Sequence, residues 1–171
     1  MIIVSPLHVV ESLVEERGIG RVLGLLAGSN EHPDLPKLAA NGNHLKLTMH
    51  DIAIQMEGMK LPGHDQVGEL IEFIKGWDQK SPMLIHCWAG ISRSTASAFI
   101  AQCILNPETS EMDLAMDLRQ RSPSATPNPM IIHHADNMLG RKGKMIEAIE
   151  SIGRGANAFE GNVFEWPIKA V

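Results

Sequence analysis

The sequence has little cysteine, no surplus of positive charge and no long apolar run, and each shortage removes a class of function. Lysine and arginine number 15 against 20 aspartates and glutamates, giving a formal net charge of -5. The mean field of such a chain does not attract nucleic acid or an anionic membrane surface, so any anion site must be local. No apolar stretch approaches the roughly 20 residues a membrane helix needs. The first residues, MIIVSPLHVVESLVEERG, lack the basic-then-apolar pattern of a secretory signal. These features predict a cytoplasmic protein with no nucleic-acid or membrane partner, and they leave the oligomeric state open.

The two cysteines are Cys87 and Cys103. An intracellular chain keeps its thiols reduced and uses them for chemistry or packing. A helix starting near Ser92 would put Cys103 on the order of 15 Å from the loop holding Cys87. A disulfide needs Cα atoms within about 7 Å, so no bridge is expected and Cys103 reads as core.

What is present is enough apolar residue, 44% of 171, for one compact domain spanning 1–171, with about 154–171 an unassigned C-terminal extension. Ile2 to Val4 reads as a strand, and Pro6 opens a helix whose apolar stripe is Leu7, Val10, Leu13 and Val14, ending at Gly18. Arg21 to Ala27 reads as a second strand, Glu31 to Asn43 as loop, and His44 to His50 as a third strand. Val67, Leu70, Ile71 and Ile74 have helical spacing up to Trp77. Met83 to His86 reads as a fourth strand, and Ser94 to Asn106 as a buried helix. A further helix opens at Thr109 to Glu111, and a last one at Asn128 and Pro129, with a break or kink at Gly140 or Gly143. The fold class this predicts is α/β, a central and mainly parallel sheet flanked by helices, with a helical C-terminal half. Ligands of such sheets sit beyond the carboxyl ends of the strands, where both Cys87 and Asp51 fall.

The residues that carry chemistry are His86-Cys87-Trp88-Ala89-Gly90-Ile91-Ser92-Arg93-Ser94. Cysteine and arginine six apart is weak evidence alone. Histidine before the cysteine, glycine three after it and the strand-loop-helix context make it strong. A phosphate monoester carries nearly two negative charges and needs several donors converging on a small volume. Backbone N–H groups from Trp88, Ala89, Gly90, Ile91, Ser92 and Arg93 can curl into an anion nest at a helix N-terminus. Gly90 allows the left-handed backbone such a curl requires, and Arg93 offers a planar fork to two phosphate oxygens. The same helix end and guanidinium favour a thiolate over a thiol at Cys87, which could then attack phosphorus. The Ser94 hydroxyl can donate to the sulfur and ease its departure.

A leaving oxygen needs a proton from another segment. Asp51 is the first candidate because it follows the third strand and opens a flexible stretch. Asp65 is the alternative, although capping alone explains a carboxylate at a helix start, and Asp78 comes third. His86 reads as loop support through a backbone hydrogen bond. Trp88 either lines the pocket mouth or packs on the core. Asn128 reads as a helix cap without chemistry. His133 and His134 point about 100° apart on a helix, so they do not chelate one ion; no metal and no cofactor are expected. Arg141, Lys142 and Lys144 read as a solvated helix end.

His86 to Ser94 resembles the HCxxGxSRS signature of the cysteine-dependent protein tyrosine phosphatase superfamily, in particular its compact dual-specificity branch. Thr48-Met49-His50-Asp51 resembles the strand end presenting that family's general acid, and Arg121 to Asn128 the segment joining its last two helices. The likeness covers roughly residues 40 to 140. Thirty-six positions separate Asp51 from Cys87, a longer stretch than compact members have. The resemblance implies metal-free hydrolysis of a phosphorylated protein or small phosphate ester through a phosphocysteine intermediate. Two other functions stay open: an inositol phosphate or phosphoinositide phosphatase, which the loop's lack of further cations disfavours, and a non-catalytic phosphoprotein-binding adaptor.

Overall fold

In the computed structural model, which describes residues 1–168, five strands form one sheet in the order β3-β2-β4-β1-β5. β1 (Ile2–Ser5), β2 (Arg21–Leu26), β3 (His44–Thr48) and β4 (Met83–His86) are mutually parallel, and β5 (Phe164–Trp166) runs antiparallel to β1. The α/β architecture is therefore the expected one. The carboxyl ends of the four parallel strands lie along one edge of the sheet.

The helices are α1 (Val10–Arg17), α2 (Pro36–Ala40), α3 (His64–Lys75), α4 (Arg93–Leu105), α5 (Glu111–Arg121), α6 (Pro129–Met138) and α7 (Lys144–Ile152). A 3-10 turn, Leu7–Val9, precedes α1, which ends at Gly18 with φ of 60°. None of the helices among the described residues is long and apolar enough to cross a membrane.

Every residue of α4 from Arg93 to Cys103 is buried, which the run of small side chains permits: Ser94, Ala96, Ser97, Ala98 and Ala101 let the sheet and three neighbouring helices approach closely. On this face α4 packs with α3, α5 and α6 over Leu23, Leu25, Met83 and Ile85. The opposite face carries a smaller cluster of Ile3, Val22 and Leu84 with Val10, Ile19 and Leu35.

Two sequence expectations need correction, the expected break after the Pro129 helix is found, and the unassigned C-terminal stretch gains a strand. The stretch 31–43 is not all loop: Pro36, with φ suited to a first helical turn, starts the short α2. The helix opened by Pro129 stops at Met138, because Asp136 turns its carboxylate to the amides of Gly143 and Met145, at 2.7 and 2.9 Å, and caps a separate helix, α7. The segment 122–128 thus joins α5 to α6 and not the last two helices. In the C-terminal extension, Phe164–Trp166 forms β5 on the free edge of β1. Gln102 Nε2 bonds the Trp166 carbonyl and Arg121 the Glu165 carbonyl, while the Trp166 indole N–H donates to Asp117 at 2.7 Å. Residues 169–171 of that extension lie outside the described residues.

Candidate active site

β4 ends at His86, and the chain turns through Cys87 to Ser92 into α4, whose first residue is Arg93. Gly90 makes the turn possible in two ways. Its φ of 70° lies in the left-handed region, and a Cβ there would stand 2.7 Å from Pro6 N and 2.9 Å from the Ser5 carbonyl carbon.

Three of the loop's carbonyls are engaged by other segments and a fourth by α4 itself. Trp88 O accepts from Leu7 N at 3.0 Å, Ala89 O from Gly161 N at 2.8 Å, Ile91 O from Thr126 N at 3.0 Å and Ser92 O from Ala96 N at 2.9 Å. Among the described residues, no hydrogen-bond acceptor takes the N–H groups of Trp88 to Ser92. The loop therefore presents a set of uncommitted donors at the N-terminus of α4, where the helix adds its partial positive charge.

Cys87 is 2% exposed, and its Sγ lies 3.2 Å from Ser94 Oγ. Arg93 is nearly as buried; one terminal nitrogen donates to the Met49 carbonyl at 2.8 Å, which holds the fork in place, and its Nε has no hydrogen-bond partner. That Nε is 4.0 Å from Asp51 Oδ2. β2 separates β3 from β4, yet Asp51, three residues past the end of β3, reaches the loop. Its Oδ1 accepts from Ser92 Oγ at 2.6 Å and from Asn128 Nδ2 at 2.8 Å, which leaves Oδ2 towards the arginine. Asp65 stands apart: it is fully exposed in the first turn of α3, paired with His64. Asp78 is exposed beside Lys80.

Cys87, Trp88, Arg93, Asp51 and Asn30 line one cleft of about 500 Å³. A second cleft of about 420 Å³ adjoins it through Asp51, Ile91 and Ser92, and carries Arg154 and Asn157. Trp88 belongs to the pocket mouth: it is 44% exposed and meets Phe159 edge-on, ring centroids 5.5 Å apart.

Several members of the site escaped the sequence reading. Asn128 does cap α6, its Oδ1 accepting from Met130 N and Ile131 N, but its amide nitrogen also anchors Asp51 and the Ile52 carbonyl. Gly161 and Phe159 come from the extension that had no assigned element. No local pattern signals these roles, since each depends on contacts with residues tens of positions away. The ring of His86 interacts with the Cys87 backbone but makes no well-formed hydrogen bond. Burial, reinforced by His32 and His44, pushes the imidazole down to about 3 and keeps it neutral. Burial pushes the Cys103 thiol up to about 12, as suits a packing residue.

No protein-family model and no curated protein matches the chain. Solved structures do. The human tyrosine phosphatase-like serine/threonine/tyrosine-interacting protein superposes with a TM-score of 0.60 at 18% identity, over 82% of this chain and 92% of that one. Human DUSP28 gives 0.61 at 14% identity, over 82% and 89%. PTPMT1 in complex with PI(5)P gives 0.57 at 14% identity, over 83% and 94%. The chain therefore has the fold of the cysteine-dependent protein tyrosine phosphatases, in the compact form of their dual-specificity branch.

Proposed function

We propose that this chain is a cysteine-based phosphate monoester hydrolase acting on phosphoproteins, with phosphotyrosine as the preferred ester. The observation that carries the reading is the loop itself: a buried thiol beneath uncommitted amides, a guanidinium fixed by the Met49 carbonyl, and a carboxylate held at the rim. Amides and guanidinium together supply the convergent donors a phosphoryl group needs.

In the first step the Cys87 thiolate attacks phosphorus. The P–S bond forms, the P–O bond to the leaving group breaks, and Asp51, in its protonated form, gives the departing oxygen its proton. In the second step water attacks the phosphocysteine, Asp51 takes the water's proton, and the P–S bond breaks to release phosphate. Ser94 Oγ, 3.2 Å from the sulfur, donates to the thiolate as it leaves. Arg93 binds two of the non-bridging oxygens throughout. Trp88 and Phe159 form an aromatic wall at the mouth, which suits a phenyl ring more than a short alkyl chain.

A phosphoinositide or inositol phosphate is the second reading, favoured by one observation. Arg154 lines the cleft adjoining that of Cys87, where a second phosphate could be met. Against it stands the absence of lysine and arginine among Trp88, Ala89, Ile91 and Ser92. A non-catalytic adaptor would have no use for the Cys87–Ser94 pair. Hydrolysis of an aryl phosphate by the wild type and by Cys87→Ser tests the proposal: a loss of at least about 10⁴-fold is expected on removing the nucleophile. Turnover preserved in Cys87→Ser would eliminate the assigned chemistry, and a strong preference for inositol phosphates over phosphotyrosine peptides would reverse the order of the two readings.

A further inference from the structure

On the face of the sheet opposite α4, three histidines from three separate segments converge. His86 ends β4, His44 begins β3, and His32 lies in the loop after β2. One potential ligand nitrogen from each ring lies within 4.8 Å of the other two. His32 meets both partners edge-on, with ring centroids 6.3 Å from His44 and 6.2 Å from His86. Gly24 on β2 makes the room: a Cβ there would stand 2.6 Å from His86 Nε2 and 2.7 Å from His32 Nδ1.

None of the six ring nitrogens is exposed to solvent, and among the described residues none has a well-formed hydrogen bond, His86 having only a weak interaction with the Cys87 backbone. A neutral imidazole carries one N–H and one lone pair, so three such rings bury three donors and three acceptors with little to meet them. Packing for its own sake does not call for this, because aliphatic side chains would fill the same space without orphaned polar atoms. From this geometry we propose that His32, His44 and His86 form a binding site for one divalent transition ion of borderline softness, of which zinc is the representative.

Imidazole nitrogens alone suit zinc, cobalt, nickel and copper better than magnesium or calcium. Zinc at about 2.1 Å from each of three nitrogens in tetrahedral geometry would set them about 3.4 Å apart. The rings must therefore close by at most about 1.4 Å, within reach of side-chain rotation for the half-buried His32 and His44. A fourth position would remain for water. The surrounding charges are mixed. Lys46 acts against a cation at His32 and His44, and Arg93 does so at His86, while Asp34 acts in favour at His44. Burial keeps all three rings in the neutral form that a metal requires. The ion would tie the His32 loop to β3 and β4, and through His86 to the residue preceding Cys87. It takes no part in the phosphoryl transfer described above.

The test is metal binding by the folded, chelator-stripped protein, with zinc titrated by calorimetry and cobalt followed by visible absorption. The expected result is one equivalent bound, with the intense ligand-field bands of tetrahedral cobalt. Cys87→Ser should keep those bands, which excludes the thiolate as the ligand. His32→Ala and His44→Ala should each weaken binding at least about 100-fold. His134→Ala should leave it unchanged, because that ring belongs to the surface group with His64. Absence of uptake by the wild type, or uptake indifferent to both His32→Ala and His44→Ala, would overturn the proposal. The wild-type stoichiometry and cobalt spectrum decide even where a variant misfolds.

Discussion

The loop of Cys87 and the stretch that begins at Asp51 face the same cleft, yet they are held in opposite ways. The loop is clamped between a buried strand and a helix buried on all sides, and its carbonyls are bonded to four separate parts of the chain. The stretch from Ala53 to Lys60 is exposed throughout, including Ile54, Met56 and Met59. It is tied at its root by Ser92 and Asn128 and at its neck by His50 and Lys60, whose backbone and ring atoms exchange two 2.8 Å hydrogen bonds. The difference matches what each group must do. A nucleophile and its phosphate cradle gain from a fixed geometry, since a small displacement costs rate steeply. A proton donor must exchange with solvent and accept leaving groups of different shape, so a segment with few buried contacts serves it.

The comparison is broken most severely by loosening the fixed side. Arg93→Lys keeps the charge but loses the fork, and an ammonium cannot both bond the Met49 carbonyl and span two phosphate oxygens. We expect kcat/KM on an aryl phosphate to fall about 10³-fold, with the fold retained by circular dichroism. A loss below about tenfold would mean that charge alone suffices and that the rigid fork is irrelevant. On the movable side, Asp51→Asn keeps the bonds from Ser92 and Asn128 within reach but removes the proton. The expected loss is about 10²- to 10³-fold on phosphoserine peptides, whose alkoxide needs the proton most, and less on an activated aryl ester. Equal losses on the two kinds of ester would transfer the acid's role elsewhere.

The same contrast explains what could be read from the sequence. β4, the turn at Gly90 and α4 are local: hydrophobic runs, one glycine and a run of small residues identify them within one continuous stretch, Met83 to Leu105. The cap at Asn128 was legible for the same reason, because Asn-Pro is a local signal. Asn128's second role, the anchoring of Asp51, joins residues 77 apart in the chain. β5 was illegible because three residues, Phe164 to Trp166, give too few alternations to reveal a strand, and its place on β1 is specified by Gln102, Arg121 and Asp117. The histidine trio was hidden for a related reason. His32 and His44 are unremarkable in a polar stretch, and only the parallel register that sets Gly24 beside His86 brings them together. The cost of six buried nitrogens without a well-formed hydrogen bond, on the order of 1–3 kcal/mol each in the absence of a partner, is a property of the fold and not of any segment.

The smallest expected effect sharpens the comparison from inside the rigid side. Ser94 is fully buried in the first turn of α4, and its hydroxyl contacts the sulfur. Ser94→Ala removes that contact without touching the amides, the arginine or the acid. In the first step sulfur is the attacking atom, and losing a donor to it does little harm. In the second step sulfur must leave as an anion, and there the missing hydrogen bond raises the barrier. The expected outcome is a fall in kcat of about 10-fold, on the order of one charge-assisted hydrogen bond, with the first turnover little changed. Rapid-quench kinetics should then show a burst of aryl alcohol approaching one equivalent before the slow phase. An equal slowing of the burst and the steady state would mean that Ser94 merely positions the thiol. In that case the cradle's rigidity, and not a donor to the departing sulfur, governs both halves of the reaction.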